Sequence, residues 1–205
     1  MATTGRPREF DRAKALHAAM MEFWRKGYLA TSMNDLCDAM GIRSPSLYAA
    51  FGSKEALYLE ALEQYASTIG PPIWGHLRDD ADTRTCIEKT MLAAAKNLPE
   101  TDTRPGGCMV ALGGVSDEAP AQVAVSVKKV RAHCFDMLRS RLKAGVTAGD
   151  LPRGTHVDRL ARFYLGVYEG MAIQAHDGAS AAELKGFAEL AMAAWPDEKR
   201  TPTRR

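Results

Sequence analysis

The sequence is poor in the features that mark secreted, membrane and catalytic proteins. Its four cysteines (Cys37, Cys86, Cys108, Cys134) show no Cys-x-x-Cys spacing, which argues against a structural zinc site. Met1–Phe10 is polar and basic, without the apolar stretch of a signal peptide. No apolar run approaches the roughly 18 residues that a membrane span needs. The thiols are therefore expected to be reduced and the chain cytoplasmic, with no membrane partner. Gly-x-Ser-x-Gly, the phosphate-binding Gly-x-x-x-x-Gly-Lys-Ser/Thr, His-Glu-x-x-His and Gly-x-Gly-x-x-Gly are all missing. No nucleophile is paired with a base, so neither an enzyme nor a cofactor is expected. His133 and Cys134 are neighbours and point to different faces of a helix, so together with His176 they make no expected metal site.

What the chain does contain is helical pattern and an uneven charge. Only 7% of its 205 residues are aromatic, while good helix formers are abundant. The net charge is +2. Residues 1–54 carry eight Lys/Arg against five Asp/Glu, and the remainder nineteen against twenty. The positive surplus sits at the N-terminus.

Residues 1–8 read as a flexible basic arm. From Glu9 to Lys26, Leu16, Met20, Phe23 and Trp24 form one apolar stripe, and Gly27 stands where a helix would stop. Ser32 and Asp35 make a capping-box start for a second helix buried through Met33, Leu36, Cys37 and Met40. After Gly41, Ile42 and Arg43, a third helix begins with Ser44 as the expected N-cap and Pro45 as its first residue. Leu47 and Phe51 face inward, Gly52 ends it, and Ser53 caps a fourth helix to about Ser67. Gly70-Pro71-Pro72 then closes an N-terminal unit, 9–69. Further helices are expected over 83–97, about 25 residues around Val123–Leu142, 155–177 and 180–195, with 108–115 ambiguous. The expected fold is all-α with about nine helices, a unit spanning 70–196 and a polar tail, 197–205.

A helix, a three-residue turn containing glycine and a short second helix have the spacing of a helix-turn-helix, here about 32–51. Leu36, Met40, Ile42 and Leu47 would close its small core, leaving the first turn of the third helix outward. Such a turn suits DNA, because short side chains reach base edges while the positive helix end faces phosphate.

Gly41, Ile42, Pro45, Ser46, Leu47, Tyr48, Phe51, Lys54, Glu55 and Leu57 together resemble the signature of the TetR/AcrR family of bacterial transcriptional repressors. Phe23, Gly27 and Tyr28 fit as well, and the resemblance covers about residues 9–65. It implies that Arg43, Ser44, Pro45 and Ser46 face base edges, with Asn34 beside them. Tyr48 and Lys54 would grip phosphate, with Ser32 against the neighbouring strand. Ala49-Ala50 departs from the larger side chains common there, which shifts specificity towards Arg43 and the arm. Arg6 and Arg8 around Pro7 resemble a minor-groove arm.

The resemblance further implies a homodimer on a palindromic, double-stranded DNA operator, released by a small-molecule effector. Trp74, Met91, Met109, Tyr164, Tyr168 and Met171 are candidate pocket residues for an apolar or aromatic effector. Cys108, after Gly106-Gly107, is a candidate pocket residue and an alternative sensor of oxidants or electrophiles. Ala172, Leu184, Phe187, Ala188 and Ala191 are the candidate dimer contacts.

Overall fold

The computed structural model describes residues 10–113 and 119–196, and among them every regular element is helical. Helix α1 (Arg12–Ala30) starts at Asp11, whose carboxylate accepts from the Ala13 and Lys14 amides at 3.0 and 3.1 Å. At Gly27 it bends rather than stops. Gly27 takes φ 78°, a conformation that costs other residues heavily. The Thr31 hydroxyl donates back to the Gly27 carbonyl at 2.6 Å and fixes the final turn.

Three helices complete the N-terminal part: α2 (Met33–Met40), α3 (Ser44–Phe51) and α4 (Lys54–Thr68). One turn, α5 (Pro71–Trp74), runs into a 3-10 turn at Gly75–Arg78. Then come α6 (Thr83–Asn97), the single turn α7 (Met109–Leu112), the long α8 (Ala121–Ala148), α9 (Val157–His176) and α10 (Ala181–Met192). The ambiguous segment 108–115 thus contributes one helical turn, while 114–118 lies outside the described residues.

One hydrophobic cluster runs from Ala15 to Trp195. Helix α1 is joined to α4 by aromatic edges: Phe23 on Tyr58 at 5.0 Å and Trp24 on Tyr65 at 4.8 Å. Such contacts add to the area that they bury. Helix α6 packs on α10, and α8 on α9.

The dimer face needs correcting. Ala172, Leu184, Ala188 and Ala191 are buried within the subunit, because α9 and α10 use these small residues to approach their own neighbours. Phe187 is half-buried, 3.8 Å from where a β-carbon at Gly170 would stand. The exposed apolar side chains on the same helices are instead Phe163, Ile173 and Leu190.

The C-terminal end of α8 is locked to the start of α6. Asp150 accepts from both the Thr83 amide and hydroxyl at 2.8 Å, a carboxylate at the positive end of a helix. Gly145 makes this approach possible, since a β-carbon there would lie 2.8 Å from the Thr83 β-carbon. Gly145→Val is expected to destabilise the chain by on the order of 2 kcal/mol through overpacking. Urea unfolding measures this, and an unshifted midpoint would contradict it.

Candidate nucleic-acid interface

The turn between α2 and α3 is built by local chemistry. Ser32 accepts from the Asp35 amide at 3.1 Å, and Asp35 accepts from the Ser32 amide at 2.7 Å, completing the capping box. Gly41 takes φ 65° and ends α2 in the left-handed region. Leu36 and Leu47 are fully buried beneath the turn, with Met40 and Ile42 beside them.

The start of α3 differs from expectation. Arg43, not Ser44, is the N-cap, and its side chain makes no capping bond. Ser44 already lies in the helix because the Arg43 carbonyl accepts from Ser46 and Leu47 at 2.9 and 3.1 Å. Its hydroxyl instead sits 3.6 Å from the Cys37 sulfur. The positive end of α3 therefore has no side-chain cap covering it. Arg43, Pro45, Ser46, Tyr48, Ser32 and Asn34 are all exposed, and Ser44 is half-buried. Tyr48 is 50% exposed despite its apolar ring, with no aromatic partner to hide it. Arg6 and Arg8 lie outside the described residues.

Lys54 stands at the start of α4 with its ammonium 4.4 Å from the centre of the Tyr28 ring, a cation–π contact. Partial burial lowers its pKa from the ordinary lysine value. Tyr28 is itself fixed edge-on against Tyr58 at 5.3 Å. The aromatic base therefore holds the cation at the start of α4, just past the C-terminal end of α3.

Two residues that support this surface, Arg12 and Lys26, were not singled out from the sequence. Arg12 bonds Glu60 at 2.8 Å, reaches the Ala50 carbonyl at 3.3 Å and covers the Phe51 ring at 4.3 Å. It ties the end of α3 to α1 and α4. Lys26 bonds Glu22 at 2.7 Å and Asp35 at 2.8 Å, tying α1 to α2. The Arg12–Glu60 and Lys26–Asp35 pairs join separate helices, so linear spacing carries no signal for them, whereas Lys26–Glu22 is an i, i+4 pair within α1.

A cavity of about 180 Å³ lies at the far end of α4. Of the candidate pocket residues, Trp74, Cys108 and Tyr168 line it. Met91, Tyr164 and Met171 do not, being wholly buried in the core. Met109 faces a separate cleft with Trp24, Gly27 and His176. The sequence reading missed Tyr65 and Ile69 from α4, and Val130, Arg131, Cys134 and Met137 from α8. The α8 stripe was visible by spacing, but spacing cannot tell a cavity wall from solid core. Cys108 is buried, at 3% exposure. Its sulfur accepts from the Ala111 amide at 3.4 Å, and Tyr65 and Tyr168 line the cavity with it. Burial keeps both phenols far above their ordinary pKa, hence protonated.

An all-helical chain with an uncapped recognition-type helix at one end and a cavity at the other defines the class of helix-turn-helix transcriptional regulators. Residues 15–61 match the family model described as bacterial regulatory proteins, tetR family. The chain is 32% identical to the HTH-type transcriptional repressor ComR of Escherichia coli (strain K12), over 94% of this chain and 92% of that protein. It is 32% identical to the repressor BdcR of the same organism, over 91% and 90%. A cysteine-substituted form of the TetR family regulator CifR, complexed with 26-bp operator DNA, superposes with a TM-score of 0.86 at 36% identity, covering 94% of this chain and all of that one. The chain belongs to the TetR family of bacterial regulatory proteins.

The Lys26–Asp35 pair generates a pH dependence. Lys26 and the Ser32 cap hold the Asp35 carboxyl well below its usual range. A depressed carboxylate stabilises the fold above its unfolded pKa and loses that contribution as pH falls through the folded value. Lys26 is raised, so its contribution persists at neutral pH and fades only in strong base. Asp35→Ala is expected to lower the melting temperature at pH 7 and to flatten the acid-side decline between roughly pH 5 and pH 1. Thermal unfolding across that range checks this. An unchanged acid slope would contradict it.

Proposed function

We propose that this TetR-family regulator is a cytoplasmic, nucleoid-associated repressor. It binds a palindromic operator as a homodimer and is released by a small apolar or aromatic effector. The observation that carries the reading is the exposed first turn of α3, which has no side-chain cap, with the cavity at the far end of α4. Arg43, Ser44, Pro45 and Ser46 enter the major groove, Asn34 and Ser32 lie alongside, and Tyr48 and Lys54 hold phosphate. The arm residues Arg6 and Arg8 add minor-groove contacts. CifR, at 36% identity, has been captured on operator DNA, which supports operator binding by this chain.

Dimerisation places two reading heads on one two-fold axis. The outward stripe Phe163, Gly166, Gly170 and Ile173 on α9, with Leu190 on α10, suits a helix-to-helix contact, because its glycines allow close approach. The cavity, at about 180 Å³, exceeds the roughly 150 Å³ that accommodates benzene in an engineered protein. An effector releases DNA by preferring the subunit arrangement whose heads are wrongly spaced.

A second reading makes Cys108 a sensor of oxidants or electrophiles. It is favoured by the place of Cys108 in the cavity lining together with Tyr65 and Tyr168, its sulfur accepting from the Ala111 amide.

Arg43→Ala is expected to cost about 1–3 kcal/mol on the operator and much less on random DNA. Lys54→Ala should weaken all duplexes alike and lower the salt slope by about one unit per subunit. Fluorescence anisotropy over a salt series separates the two. If both variants bind the operator like wild type, α3 is not the reading head. Ile173→Glu with Leu190→Glu should sediment as a monomer and lose operator affinity, and a dimer that survives both changes would move the interface elsewhere.

A further inference from the structure

Cys108 does not stand alone in the cavity. Cys134, on α8, lines the same space. Arg131 lies one turn earlier on α8 and lines the same space. Its Nε donates to the Val110 carbonyl at 3.1 Å, and its terminal nitrogen donates to the Gly113 carbonyl. Helix α8 thus grips α7 just beyond Cys108. The two thiols and the Tyr168 hydroxyl act electrostatically on one another, and Glu169 acts on Cys134 from the same lining. The other two cysteines are elsewhere. Cys37 contacts Ser44 at the reading head, and Cys86 faces the Asp79 and Ala81 carbonyls at 3.6 and 3.7 Å.

We propose that Cys108 and Cys134 form one redox pair, oxidised to a disulfide by an apolar organic hydroperoxide that enters the cavity. The proposal rests on the second reading above and names its reactant class and its second thiol. The Cys108 sulfur attacks the terminal, hydrogen-bearing peroxide oxygen: an S–O bond forms, the O–O bond breaks, and the electron pair leaves with the alkoxide. The alkoxide takes the proton that the Cys108 thiol gives up and departs as the alcohol, leaving Cys108 as a sulfenic acid. The Tyr65 and Tyr168 hydroxyls stand where they can donate to the developing alkoxide. The Cys134 sulfur then attacks the Cys108 sulfur: the S–S bond forms and the S–O bond breaks. Hydroxide leaves and, with the Cys134 proton passed through Glu169, becomes water. Two thiols and one hydroperoxide give one disulfide, one alcohol and one water.

The apolar lining selects the reactant. Trp74, Ile69, Val130 and Met137 offer contact to a hydrocarbon tail and little to a hydrated oxidant. The bond has a mechanical consequence too, since a disulfide holds its α-carbons within about 7 Å and so ties the start of α7 to α8. Met109 and Leu112 of α7 share a cleft with Trp24 and Gly27 of α1, so the tie bears on the bend that precedes α2.

The test treats the full chain with cumene hydroperoxide, blocks remaining thiols with iodoacetamide and maps unreduced peptides by mass spectrometry. The expected product joins the Cys108 and Cys134 peptides with loss of two hydrogens and is reversed by dithiothreitol, while Cys37 and Cys86 remain alkylated. In Cys134→Ser, Cys108 should stall as a sulfenic acid that dimedone labels. In Cys108→Ser, Cys134 should stay reduced. An unreacted Cys108, or an oxidised Cys108 that never links to Cys134 in wild type, overturns the pair. Operator binding is read on the same samples. A cross-link that leaves operator affinity unchanged supports the pair and contradicts release through Cys108. Release by an unreactive aromatic ligand, with no cross-link on peroxide, overturns the pair and leaves the repressor reading intact.

Discussion

Helix α4 is the constraint on which the rest depends. Its fifteen residues span about 22 Å at the ordinary helical rise. Lys54 begins it, against Tyr28 and three residues after Phe51, the last of α3. Tyr65, Ala66 and Ile69, near its other end, are cavity wall. Between them, Leu57, Tyr58, Ala61 and Leu62 are buried among the core residues that α1 and α4 share. A helix this short and this firmly packed moves as a unit, because close-packed interiors shift between discrete arrangements and do not flex continuously.

In the proposed repressor, coupling between cavity and reading head needs no special pathway. Of the helices that line the cavity, α4 and α7 each reach the helix-turn-helix by a different route. Helix α4 carries Lys54 directly. Helix α7 bears on α1 near Gly27, which leads through Thr31 and the Ser32 cap into α2. The ion pairs of Arg12 and Lys26 keep α1, α2, α3 and α4 in one body at that end. These pairs are exposed and individually weak. Their contribution is orientation of the head more than stability of the chain.

Much of this was legible before any coordinates. Local rules act over a few residues, so Ser32, Gly41, Ser53 and the limits of α6 could be read from caps, glycines and apolar spacing. The misreadings have one physical origin, which is that periodicity reports that a face is buried without reporting against what. Ala172, Leu184 and Ala188 were assigned to a partner subunit, yet they are covered by their own. Met91, Tyr164 and Met171 fill core where a cavity wall was expected. Ser44 looked like a cap because serine at a helix start usually is one. Pro45 behind it, with Arg43 already extended, places it one residue inside. The Lys54–Tyr28 contact and the Arg131 grip on α7 join residues far apart in sequence, where no pattern records them.

The central claim is that the outward turn of α3 reads DNA in a two-fold arrangement. Selection of duplexes from a random library by the full-length chain tests it most directly. The account predicts a palindromic consensus of two equal half-sites, centred about one helical turn apart or a multiple of it, with Arg43→Ala relaxing the same position in both halves. A single asymmetric site, or no enrichment over random sequence at low salt, would contradict it.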